Sequence, residues 1–266
     1  MNLLLHLLML SLLSAGSARV VQDFEKSCGQ FFAKGKSPKG FTGAQYRQIC
    51  QTLDNAVHFA TLYDTYNKIP VYSAYVFEGL MGCTRLNSWY IEPQLDDNNG
   101  GANMAFSSTV KENYRGVHQA LDKDYDKSGY DRGHLAPVYH ANSQSCADAT
   151  FTLTNAAPQE PNFNRGTWKA LEGQIANDLF KTCTKKGCRV YVVTGVVPGN
   201  GQPVNNRVNV PSYFWTAFCC LNKNVCQFSE GAIGTNDNNG NIMPLSVAGL
   251  QNKLQQFYGK AITLFQ

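Results

Sequence analysis

Apolar and polar positions along the chain predict interleaved strands and helices. Phe59 to Phe77 reads as two β-rich runs joined through Asp64–Lys68, with Pro70 near the start of the second. Tyr- and Val-rich runs of this kind fit a pleated, half-buried surface. Asp96 to Ala102 (DDNNGGA) is a loop by composition. From Asn164 the period changes: Trp168, Leu171, Ile175 and Leu179 form one apolar stripe of a helix. Arg189 to Val197 (RVYVVTGVV) is strand-like, with Gly195 tolerated near its end. Ser212 to Cys220 and Val225 to Phe228 pair as a hairpin if Asn222-Lys223-Asn224 is its turn. Val247, Leu250, Leu254 and Phe257 mark a second amphipathic helix, with Ser246 placed to cap its start and Gly259 its end. Several strand runs lack an intervening helix, so an antiparallel α+β fold is favoured over a parallel α/β sheet.

The N-terminus follows a different pattern. Leu3 to Leu13 is almost wholly apolar, broken by His6 and Ser11, and small residues follow at Ser14 to Ala18. This reads as a secretory leader cleaved after Ala18, and it is too short for a membrane span of ~20 residues. The expected organisation is a signal peptide at residues 1–18 and a single domain at 19–266. The mature protein is expected to be extracellular, with no membrane span.

Composition sharpens this picture. The 266 residues are 43% hydrophobic and 16% charged, enough apolar material for a core. The formal net charge of +4 excludes a strongly basic DNA-packaging protein and still allows an anionic substrate. Nine cysteines, all after residue 18, suit an oxidising compartment. Two local pairings are plausible: Cys183 with Cys188 across a turn-like stretch, and Cys220 with Cys226 across the hairpin. The odd count leaves at least one thiol free or available for an intermolecular disulfide. A zinc site does not fit, because no CxxC pair occurs. No N-x-Ser/Thr sequon is present.

The chemistry concentrates between Tyr130 and Glu172. Asp131-Arg132-Gly133-His134 sets an imidazole able to take a proton near neutral pH beside a guanidinium suited to phosphate oxygens. Thr154-Asn155-Ala156-Ala157-Pro158-Gln159 follows, then Asn162-Phe163-Asn164-Arg165-Gly166. Asn164 offers a neutral oxygen to a hard cation that keeps most of its waters. Glu172, eight residues on, lies ~12 Å further along a helix axis, which suits holding a metal-bound water better than direct ligation. Asp122 to Asp126 opens like a calcium loop but has Lys127 and Gly133 at the sixth and twelfth positions, where Gly and Glu are needed. No P-loop, dinucleotide fingerprint or GxSxG occurs. His58, His118 and His140 are expected to be structural or exposed, with His140 nearest the motif.

The runs DRGHLAP, TLTNAAPQ and NFNRGTWKALE resemble the DNA/RNA non-specific endonuclease family of the ββα-metal group. The resemblance spans about residues 59 to 258 and includes Arg85-Leu86-Asn87-Ser88-Trp89 and Pro211 to Trp215. It implies a ββα-metal nuclease fold, with a central, mainly antiparallel sheet flanked by helices. It implies His134 as general base, Asn164 as ligand of Mg²⁺ (or of Mn²⁺ or another divalent cation in its place), and Glu172 as holder of the metal's waters. Arg132 and Arg85 match arginines near the scissile phosphate, and Asn155 an asparagine supporting site geometry. Arg165 departs from the family pattern, where Gln follows the ligand Asn. The implied activity is metal-dependent hydrolysis of DNA and/or RNA with little sequence preference. The alternative is a catalytically weak extracellular nucleic-acid-binding protein.

Overall fold

A computed structural model describes residues 19–266, so the proposed leader at 1–18 lies outside the described residues. Its strands are β1 (Arg19–Val21), β2 (Tyr46–Leu53), β3 (Ala56–Asp64), β4 (Ile69–Phe77), β5 (Tyr90–Ile91), β6 (Ala105–Phe106), β7 (Asp131–His134), β8 (Ala156–Gln159), β9 (Arg189–Val197), β10 (Tyr213–Asn222), β11 (Val225–Thr235) and β12 (Ile242–Leu245). Its α-helices are α1 (Phe24–Cys28), α2 (Pro93–Asp96), α3 (Gln144–Ala149), α4 (Lys169–Thr182) and α5 (Val247–Tyr258). Eight strands form one sheet in the order β1-β2-β3-β4-β9-β10-β11-β12, and every neighbouring pair is antiparallel. β5–β6 and β7–β8 are separate two-stranded ribbons. The expected α+β class is what the chain adopts.

Strand alternation divides the core between the two sheet faces. Val193 and Val197 of β9 pack with Trp215 on the face covered by Leu250 and Leu254 of α5. Val190 and Val192 pack with Phe218, Ala176 and Leu179 on the face covered by α4. A Cβ on Gly195 would lie 2.3 Å from the Trp215 ring, so this strand position requires glycine for close packing rather than merely tolerating it. α5 has the predicted caps: the Ser246 side chain accepts from the Gly249 N–H, and Gly259 ends it in the left-handed region. Phe257, read as part of the buried stripe, is 39% exposed and stacks obliquely on Tyr213 instead. The strands β1, β2 and β12 lack a sequence signal strong enough to separate them from loop.

Both local cysteine pairings are corrected. The disulfides are Cys28–Cys50, Cys183–Cys220 and Cys219–Cys226. The hairpin turn has two residues, Lys223 and Asn224, both at positive φ. Such a turn matches strand twist. It pairs Leu221 with Cys226, so Cys226 shares a face with Cys219 and not with Cys220. One residue of turn length thus exchanges the partners. Cys220 then faces the end of α4, where it meets Cys183. Cys183 is therefore not bonded to Cys188, although Cys188 donates its N–H to the Cys183 carbonyl.

Candidate active site

The ribbon β7–β8 and the helix after it form the ββα unit. Asp131 pairs with Gln159 and His134 with Ala156. Alternation puts Arg132 and His134 on one face, Asp131 and Gly133 on the other. Gly133 leaves room for the buried Gln159 side chain: a Cβ there would sit 2.2 Å from Gln159 Oε1. After β8, Phe163–Trp168 forms a π-helical turn before α4 begins at Lys169. The helix expected from Asn164 is therefore wider at its start. A π turn often marks a functional position because it re-aims the side chains it carries.

His134 is buried between two aromatic rings, Trp89 and Phe151, each with its centroid 4.9 Å away. Its Nε2 is buried and has no hydrogen-bond partner. Burial, with a smaller contribution from the nearby Arg85 charge, pushes the imidazole down to about 3. Arg85 itself is exposed and lies 5.2 Å over the Phe151 ring. Its charge also bears on Glu172. The arginine separated from the motif by a long loop is thus returned to the same locus.

Asn155 is fully buried and satisfies all of its amide capacity. Its Oδ1 accepts from the Ala136 N–H and the Ser73 hydroxyl, and its Nδ2 donates to the Ala136 and Thr150 carbonyls. It clamps the chain just beyond His134 onto β4 and the end of α3. Arg132 stacks near Tyr125 and Trp89 and is ion-paired through Nη2 to Asp122 at 2.7 Å, with Asp126 at 3.9 Å. Its Nε is buried and unpartnered. The acidic run that fails as a calcium loop therefore orients an arginine, while its middle member, Asp124, pairs with Arg207.

Asn164 donates from Nδ2 to Asp131 Oδ2 at 2.9 Å, which leaves its amide oxygen for a ligand. Arg165 grips the same carboxylate through Nε and Nη2, so the charge that distinguishes this position is paired. Burial raises the Glu172 carboxyl to about 8, against the opposing pull of Arg85. Among the described residues no group of three or more His, Cys, Asp or Glu could hold a metal. The free amide oxygen of Asn164 is a donor of the kind that suits a hard cation keeping most of its waters.

Sequence reasoning missed the parts played by Asp131 and Phe151, whereas His140 was expected to be structural or exposed. Asp131 holds both Asn164 and Arg165. Phe151 walls the His134 ring, and no local pattern marks it. His140 is buried and bridges two elements: Tyr75 donates its hydroxyl to Nδ1 at 2.8 Å, and Nε2 donates to the Glu172 carbonyl at 3.0 Å. Burial pushes His140 down to about 4.

Residues 39–257 match the model of the DNA/RNA non-specific endonuclease family. This chain belongs to that family. The match starts some twenty residues before the stretch that resembles it by motif, and takes in β2 and β3. The human Endonuclease domain-containing 1 protein is 36% identical over 196 residues, 73% of this chain and 38% of that protein. Human mitochondrial Endonuclease G is 40% identical over 111 residues, 37% of this chain and 36% of that protein. The chain thus spans less than two-fifths of the length of these relatives. A chain of the crystal structure of the EndoG/EndoGI complex superimposes with a TM-score of 0.53 at 22% identity, covering 79% of this chain and 86% of that one. That likeness supports the fold.

Proposed function

We propose that this chain is a secreted, divalent-metal-dependent endonuclease that hydrolyses phosphodiester bonds of DNA and/or RNA with little sequence preference. The observation that carries the reading is the His134 site: a neutral imidazole on the same strand face as Arg132, under the charge of Arg85, with Asn164 and Glu172 presented by the adjoining helix. Family membership gives this arrangement its chemistry.

His134 takes a proton from water, and the hydroxide attacks phosphorus in line with the leaving 3′ oxygen. In the free protein burial keeps His134 neutral, as a base must be. The anionic phosphate, once bound, favours the imidazolium and so raises proton affinity when the proton has to move. Arg85 and the unpartnered Nε of Arg132 offset charge on the non-bridging oxygens. Asn164 would hold the divalent cation and Glu172 its water shell. When bound, the cation supplies positive charge beside the phosphate and the leaving oxygen. Asn155 keeps the His134 strand in register and does not touch substrate. None of these groups reads a base edge, in keeping with little sequence preference.

Secretion rests on the apolar leader and on three disulfides, which suit an oxidising compartment. No helix among the described residues is long and apolar enough to cross a membrane. The metal assignment is tested by Mg²⁺ titration of plasmid nicking. Asn164→Ala is expected to raise the half-saturating Mg²⁺ concentration at least tenfold, and an unchanged titration would remove Asn164 as the ligand.

A further inference from the structure

Six of the nine cysteines are bonded to one another, which leaves Cys83, Cys146 and Cys188. Cys188 sits beside Cys183, already joined to Cys220. Cys83 and Cys146 come together elsewhere. Both pack on one small apolar cluster built from Val138, Ala141, Ala147 and Phe151. Their segments are also held by a reciprocal pair of hydrogen bonds. The Thr84 N–H donates to Gln144 Oε1 at 3.0 Å, and Gln144 Nε2 donates to the Thr84 carbonyl at 3.1 Å. Thr84 follows Cys83 directly, and Gln144 begins the helix α3 that carries Cys146. The thiols are close enough for Cys83 to contribute to raising Cys146, which burial pushes up to about 11.

We propose that Cys83 and Cys146 form a fourth disulfide, which anchors the Arg85 segment to α3 and leaves Cys188 as the single unpaired thiol. In its formation the two Sγ–H bonds break and one Sγ–Sγ bond forms. Two protons and two electrons pass to a small-molecule disulfide oxidant such as oxidised glutathione, whose own sulfur–sulfur bond is reduced to two thiols. The secretory compartment inferred from the leader and the other disulfides supplies such an oxidant.

The placement gives the bond a consequence. Arg85 is two residues from Cys83 and lies over Phe151, the ring that walls His134. The stretch from Glu78 to Ser88 forms no strand or helix, and it is held by the Thr84–Gln144 pair on α3 and by a hydrogen bond from Asn142 to Glu78. A covalent tie there reduces the freedom of the Arg85 guanidinium before substrate arrives. This consequence for catalysis rests on the nuclease reading; the bond itself does not.

The bond is tested on the secreted protein by alkylation without reduction, followed by peptide mapping in a mass spectrometer. The expected result is a linked peptide pair containing Cys83 and Cys146, with Cys188 alkylated. Alkylation of both Cys83 and Cys146 in unreduced protein would overturn the proposal. The anchoring is read independently of nuclease activity, by trypsin cleavage after Arg85. The double variant Cys83→Ser/Cys146→Ser, with Cys188→Ser as control, is expected to be cut there at least tenfold faster than the native chain. Equal rates would overturn the anchoring role. A protein that shows the linked peptide but cuts no nucleic acid would leave the disulfide standing and remove the nuclease reading.

Discussion

Asn155 shows how much one side chain can hold. It makes four buried hydrogen bonds that join Ser73, Ala136 and Thr150, and truncation strands several of those partners without water. Asn155→Ala is expected to lower stability by about 2–5 kcal/mol, read from the midpoint and slope of urea unfolding. The two buried histidines make a second residue-scale prediction. Burial holds His140 at about 4 and His134 at about 3, both below the ordinary value of ~6.5. Above that value neither contributes a slope. Below it the unfolded chain takes up protons that the folded chain refuses, so stability falls as pH drops from about 6.5 toward 4. Each group contributes a loss of roughly 3 kcal/mol at the acid end of this window. His140→Gln, unfolded at pH 7 and pH 4.5 in the presence of chelator, is expected to lose less stability between the two than the native chain does. An equal loss would mean that His140 is not buried neutral. Residue type and short spacing singled out His134, Asn164 and Glu172 in the sequence, and Asn155 stood out only through its match to the family motif. The bridge through His140 was not, because its partners Tyr75 and Glu172 are brought to it only by the folded chain.

At the scale of elements, legibility followed the strength of the local period. The β3–β4 hairpin, β9, α4 and α5 all stand on clear apolar alternation or stripes, and they form close to where that pattern places them. The lower half of β11 escaped notice because its glycines read as loop. Gly231 and Gly234 are there because Leu250 and Phe163 press against them. The cysteine partners failed for a geometric reason: a two-residue turn in place of three moves Cys226 to the other face of its strand. The ββα unit itself yields a prediction. In β7, Gly133 is the position where Gln159 occupies the space a methyl group would need. Gly133→Ala is expected to destabilise the chain by about 1–3 kcal/mol and to lower nuclease activity by displacing the ribbon under His134. Thermal unfolding alongside a plasmid assay checks both effects, and neutral behaviour in both would show that Gln159 yields easily.

For the whole molecule, the sheet works as a platform with two uses. One face is closed by α5 and the N-terminal aromatic cluster around Phe24 and Phe32. The other carries α4 and the β7–β8 ribbon, with Ser73 of β4 reaching up to Asn155 beneath the site. The net charge is only +4, and Arg85 is the arginine whose charge bears on His134, while Arg132 is paired with Asp122 and Arg165 with Asp131. Composition alone allows an anionic substrate without favouring one; the folded chain shows that Arg85 stands near His134 and that Arg132 and Arg165 are tied to carboxylates. The most direct measurement compares purified native protein with His134→Ala on supercoiled plasmid and on RNA, in Mg²⁺ and in chelator. The native protein is expected to cut in Mg²⁺ and not in chelator, and His134→Ala to lose about 10²–10⁴ in rate while keeping its near-ultraviolet circular dichroism. Full activity in the folded His134→Ala protein, or binding of nucleic acid by the native protein with no hydrolysis in any divalent cation, would contradict the role given to this site.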